Sequence, residues 1–188
     1  MVALKTLLLA AVIVIAAGFA FIYSGLYNIA ANDMHTAPVR WALETTRNQS
    51  IDRRDDSIRV PADLADMRRI ENGARSYAAM CQICHLGPGV EPTPIHLGLN
   101  PQPPLFTKEN SHQSDESLFW IIKNGIKMTG MPAWEATHSD KELWDIVAFL
   151  KKLPEYSIEQ YEDLSGRAER NSNPSSTHAN GDSPAHSH

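Results

Sequence analysis

The sequence predicts an all-α protein, with one apolar N-terminal helix ahead of a small helical domain. Three observations carry that prediction. Apolar side chains recur at steps of three and four in separate stretches, at Met67, Ile70, Ala74, Tyr77, Ala78 and Cys81, at Leu118, Ile121 and Ile122, and at Leu143, Ile146, Val147 and Leu150, as the buried face of a helix requires. Helix start and stop signals flank these stretches. No segment alternates apolar and polar residues convincingly over strand length, the pattern of a half-buried strand.

Taken in order, the first element is the N-terminal stretch. Thr6 to Asn32 holds 27 residues without a formal charge, and Leu7 to Tyr23 is apolar apart from Gly18, enough to cross a hydrocarbon core of about 30 Å as a helix. It is either a cleavable signal or a permanent anchor. Asn28-Ile29-Ala30 and Ile29-Ala30-Ala31 both lack the first small residue of a cleavage site, which favours an uncleaved anchor over residues 1–32. Lys5 and the α-amino group lie on one flank and Asp33 on the other, so the remainder of the chain is expected outside the cytoplasm.

Residues 33–61 follow as a charged, irregular tether, with Arg40, Arg47, Arg53, Arg54 and Arg59 balancing Asp33, Glu44, Asp52, Asp55 and Asp56. Trp41 and Leu43, after Pro38, suit a short piece at the membrane interface, a solvated linker or a segment packed on the domain. The domain itself is expected over 62–164. Asp66 is placed to cap its first helix, Ser114 to Asn124 is a shorter helix stopped by Gly125, and Ser139 with Glu142 forms a capping box at the start of the last helix, which Pro154 ends. Leu86 to Phe106 holds six prolines and reads as loop, in which His96 is expected to be solvated. Residues 165–188 are rich in Ser, Asn, Gly, Pro and Ala and are expected to be disordered; His178, His186 and His188 fit a flexible tail better than a metal site.

One pentapeptide carries the chemistry. Cys81-Gln82-Ile83-Cys84-His85 has the spacing by which two thiols reach the two vinyl groups of one porphyrin and become thioethers, while the adjacent imidazole is delivered to the iron. A thioredoxin-like pair, a zinc site or a disulfide would need a βαβ context, further ligands or an expectation of bridging, and the chain holds only these two cysteines. The reading is one covalent haem c on Cys81 and Cys84, with His85 as proximal iron ligand.

For the sixth ligand the decisive stretch is Gly125 to Trp134. Met131 stands between Gly130 and Pro132, in a short irregular loop where glycine admits close approach of the backbone and proline stiffens the exit. Met131 is the expected distal thioether, and a neutral sulfur ligand favours reduced iron more than a second histidine does. Met128, His96, His112 and His138 are the alternatives, and core filling is the other use of a methionine.

The order of C-x-x-C-H, a G-x-x-x-M-P-type loop and a closing helix Leu143 to Leu150 resembles the class I monohaem cytochromes c over about residues 66 to 153. The resemblance implies a first and a last helix that cross at the haem edge, with Gly73 and Tyr77 as the small and aromatic residues of the crossing, faced by Trp144 or Phe149. It also implies a proline carbonyl that accepts a hydrogen bond from the ligand imidazole, with Pro103 and Pro104 as candidates, although this chain departs from the short G-P pattern usual after the haem motif. Covalent attachment of this type implies the periplasmic side of a bacterial inner membrane.

Charge bears on partners. Asp63 to Leu164 holds nine Lys and Arg against fifteen Asp and Glu, which argues against nucleic acid and for redox donor and acceptor proteins with a basic docking patch. About 100 residues make a marginal core, to which a haem adds apolar bulk, so the haem-free chain is expected to fold poorly. The expected function is one-electron transfer without catalysis. The alternatives are a cytochrome subunit of a dehydrogenase or oxidase, and a sensor or peroxidase-like protein whose methionine is displaced. A peroxidase of the related type would be expected to carry two haem motifs, and this chain has one.

Overall fold

The computed structural model describes residues 2–108 and 113–166. His112, and the tail histidines His178, His186 and His188, lie outside the described residues. The described residues are helical, without a strand, as the periodicity predicts. They fall into two compact units that divide between His35 and Thr36.

The first unit is α1 (Val2–Ser24) and the turn after it. α1 is long and apolar enough to cross a membrane, and none of its described side chains is buried. The turn folds on itself: the Asn28 amide donates to Asp33, the Ala30 N–H to Asn28 Oδ1, and Tyr27 Oη lies 2.7 Å from His35 Nδ1.

In the second unit, residues 37–55 form α2 (Ala37–Asp55) rather than the irregular tether the sequence reading expects. Pro38 in its first turn and Arg53 and Arg54 in its last are start and stop signals that balanced charge obscured. Its C-terminal half packs on α6 (Asp115–Asn124), burying Ile51 and bringing Asp55 to the Ser117 hydroxyl.

The centre of the domain is the crossing of α3 (Met67–Met80) and α7 (Asp140–Lys152). Asp66 caps α3 by accepting from the Arg68 N–H, and Ser139 with Glu142 closes the expected capping box on α7. At the crossing the backbones touch: a Cβ on Gly73 would stand 1.9 Å from the Asp145 carbonyl oxygen and 2.9 Å from Phe149 Cβ. Only glycine fits there. Tyr77, one turn on, meets Phe149 with ring centroids 5.3 Å apart. Phe149 therefore faces the small and aromatic pair, while Trp144 stacks on Phe119 of α6 at 4.2 Å. Asp145 is buried and paired, with Arg69 at 2.7 Å and Lys141 at 3.0 Å, as a buried carboxylate must be.

A single 3₁₀ turn at Leu153–Glu155 leads to α8 (Ile158–Leu164), whose Ser157–Gln160 capping box starts it and whose Ser165 cap is buried. Tyr161 of α8 is fully buried against Tyr77 and Phe149.

Candidate haem site

α3 ends at Met80, and after Cys81 the chain makes one more turn, α4 (Gln82–His85). Such a turn leaves nearly all its carbonyls without helical partners, and the structure supplies partners for the first three of the four. The Gln82 carbonyl accepts from the Leu86 N–H at 2.9 Å. The Ile83 carbonyl accepts from the Thr93 hydroxyl, and the Cys84 carbonyl from His96 Nδ1–H at 2.7 Å. Thr93 and His96 both belong to α5 (Pro94–Gly98) and its cap. His96 Nε2 in turn accepts from the Gln102 amide at 3.2 Å, the role left to it once Nδ1 donates. His96 is thus buried, and the expectation of a solvated loop residue is corrected: a histidine can be buried when both ring nitrogens are satisfied. Both are engaged, which also leaves it poorly placed to bind iron.

His85 sits half-buried beneath Phe106, ring centroids 5.3 Å apart, and its Nδ1–H donates to the Pro104 carbonyl at 2.9 Å. Of the two candidate prolines, Pro104 is the acceptor. The bond fixes the tautomer, leaves Nε2 as the free lone pair and raises its basicity. Burial holds the imidazole below its ordinary pKa, against the opposite pull of the Pro104 carbonyl, so the ring is neutral and able to ligate.

Leu86, next in the chain, has φ 57° and ψ −152°, a backbone region that glycine favours and that costs about 1–3 kcal/mol for other residues. The conformation is held from both sides, by the Leu86 N–H on Gln82 and by Tyr77 Oη–H donating to the Leu86 carbonyl at 2.9 Å. α8 braces the same turn, since Tyr161 donates to the Gln82 side chain and lies where a Cβ on Gly87 would stand, 2.9 Å from Cζ. Sequence reasoning missed Thr93, Phe106 and Tyr161 as supports of this segment; the Ser157-x-x-Gln160 pattern was the one signal pointing to α8.

Cys81, between α3 and α4, and Cys84, within α4, are both half-buried. Among the described residues, no group of three or more His, Cys, Asp and Glu side chains could hold a metal ion. The donor set at α4, two cysteine sulfurs and one imidazole on a single turn, fits a covalently attached haem, and the described residues bring no further donors to it that would complete a zinc site.

The second loop starts where Gly125, at φ 65°, stops α6. A Cβ there would meet the backbone of 131–133 at 2.7–2.8 Å, so glycine is needed for the return of the chain. The return is fixed by the Ile126 N–H on the Met131 carbonyl at 3.1 Å, the Met131 N–H on Thr129 Oγ1 at 3.1 Å and the Trp134 N–H on the Ile122 carbonyl at 3.3 Å. Met131 is partly buried against the core, whereas Met128 is 98% exposed. His138 packs edge-on against Trp134 with its Nδ1 on Thr137. The two loops meet at Gly130, where a Cβ would stand 2.5 Å from Leu99.

Residues 68–150 match the family model of cytochrome c oxidase, cbb3-type, subunit III. No curated protein matches the chain. The matched span covers less than half of the chain but takes in nearly all of α3, both loops and α7 through Leu150. The domain holding residues 68–150 belongs to the class I monohaem cytochromes c, carries one covalently bound haem c, and makes this an electron-transfer protein.

Proposed function

We propose that the protein is a single-haem, one-electron carrier whose iron is closed on both sides by His85 and Met131, anchored by α1 in a bacterial inner membrane with its haem domain in the periplasm. The observation that carries this reading is the difference between the two methionines: Met131 is turned into the core by a hydrogen-bonded loop, and Met128 stands in solvent. When bound, the haem supplies a one-electron ferric/ferrous couple. Cys81 and Cys84 hold it to α4, His85 is oriented by Pro104, and the neutral Met131 sulfur favours the reduced state. A rigid ligand set changes little between redox states, which suits electron transfer and opposes substrate binding at iron.

The domain's excess of acidic residues supports donor and acceptor proteins that present a basic patch. Lys5 in the first turn of α1 and Asp33 after the helix support the outward orientation. A second reading, a cytochrome subunit within an oxidase assembly, is favoured by the description of the matching family. Mild detergent extraction and identification of what copurifies separates the two. The closed iron is tested by the reduced spectrum with and without carbon monoxide. No change is expected, and rapid binding would instead favour a sensor or peroxidase-like protein with a displaceable methionine.

A further inference from the structure

The polarity of α2 changes along its axis and not around it. Its first seven residues, Ala37-Pro38-Val39-Arg40-Trp41-Ala42-Leu43, carry one polar side chain, Arg40, and from Glu44 onwards polar and charged residues dominate. Trp41 and Leu43, two positions apart and so on nearly opposite sides, are 68% and 51% exposed. No single face of the protein covers them. The far half of the same helix is docked, through Ile51 and the Asp55–Ser117 bond, on α6 of the cytochrome domain.

An apolar end surrounding one cation is what an interfacial bilayer layer accommodates: tryptophan at headgroup depth, short aliphatic side chains below it, arginine on phosphate. Chain connectivity places such a layer within reach. His35 is bonded back to Tyr27, three residues past the end of α1, and the six residues on to Trp41 span at most about 20 Å. Exposed Leu26, Ile29 and Met34 continue the apolar character between the two helices.

We infer that the first two turns of α2 enter the outer membrane interface end-on, so that one continuous helix runs from the lipid headgroups to the cytochrome domain and holds that domain at the membrane surface. The inference rests on α1 being the anchor. Electron exchange would then be confined to partners in, or bound to, the same membrane.

The test is fluorescence of the full-length holoprotein in phosphatidylcholine–phosphatidylglycerol vesicles, subtracting the Trp41→Phe variant to isolate Trp41 from Trp120, Trp134 and Trp144. Expected is a blue-shifted Trp41 emission that loses most of its intensity to lipids brominated in the upper acyl chain and little to aqueous iodide. Quenching by iodide and not by bromolipid, in protein that resists carbonate extraction, would overturn the inference and leave the anchor standing. Protection from both quenchers would also overturn it, in favour of cover by protein. Protein released by carbonate would remove the anchor reading, and this inference with it.

Discussion

The α3–α7 crossing and the loops that carry His85 and Met131 are held together by different physics. At the crossing, Gly73 lies on the Asp145 carbonyl and Tyr77 on Phe149, and cohesion comes from close-packed apolar surface with hardly a gap to adjust. In the loops, single donors meet single carbonyls: Thr93 on Ile83, His96 on Cys84, Tyr77 on Leu86, His85 on Pro104. Packing resists any change in volume, whereas a hydrogen-bond scaffold resists only loss of a partner. One region fixes the frame, and the other sets where the ligand atoms point.

The largest effect that would break this contrast is expected at Gly73. Gly73→Val should cost about 3 kcal/mol or more, since the helices must part to admit any Cβ, and thermal melting followed by far-ultraviolet circular dichroism measures it. A variant that melts like the parent would mean the crossing is not close-packed.

His96→Leu is the corresponding loop test. It keeps bulk but leaves the Cys84 carbonyl and the Gln102 amide without their partner, at about 1–3 kcal/mol. Amide hydrogen exchange should speed up in 83–104 while α3 and α7 keep their protection. Equal loss in both regions would erase the distinction.

The smallest effect concerns the cap of α7. Ser139→Ala should cost about 1 kcal/mol at neutral pH. The Ser139 hydroxyl and N–H hold the Glu142 carboxyl below its ordinary pKa, so its folded value lies under its unfolded one. That support is complete above the ordinary carboxylate range and disappears as pH falls through the folded value. The difference in melting temperature between parent and variant should therefore narrow on acidification.

The same contrast explains what the sequence makes legible. Packing writes itself as periodicity, and α3, α6 and α7 with Asp66, Ser114, Gly125 and Ser139 at their ends were all readable. Phe149 and Trp144 were both apolar candidates for the crossing, because spacing alone does not say which turn lies against which. Loop scaffolds have no period. His96 looked solvated among prolines and α2 looked irregular because its charges balance, yet the partners of both lie far enough along the chain, Cys84 twelve residues from His96 and Ser117 sixty-two from Asp55, that no local pattern shows them. Cys81, Cys84 and His85 stand out in the sequence because covalent attachment of a haem would enforce that spacing.

The central claim is that Met131, and no other residue, completes the coordination begun by His85. The direct measurement is the ferric near-infrared spectrum and the midpoint potential of Met131→Ala beside Met128→Ala. The account predicts that Met131→Ala loses the weak methionine-to-iron charge-transfer band and falls in potential, with Met128→Ala unchanged in both. An unaltered Met131→Ala spectrum, or loss of the band in Met128→Ala, would contradict it.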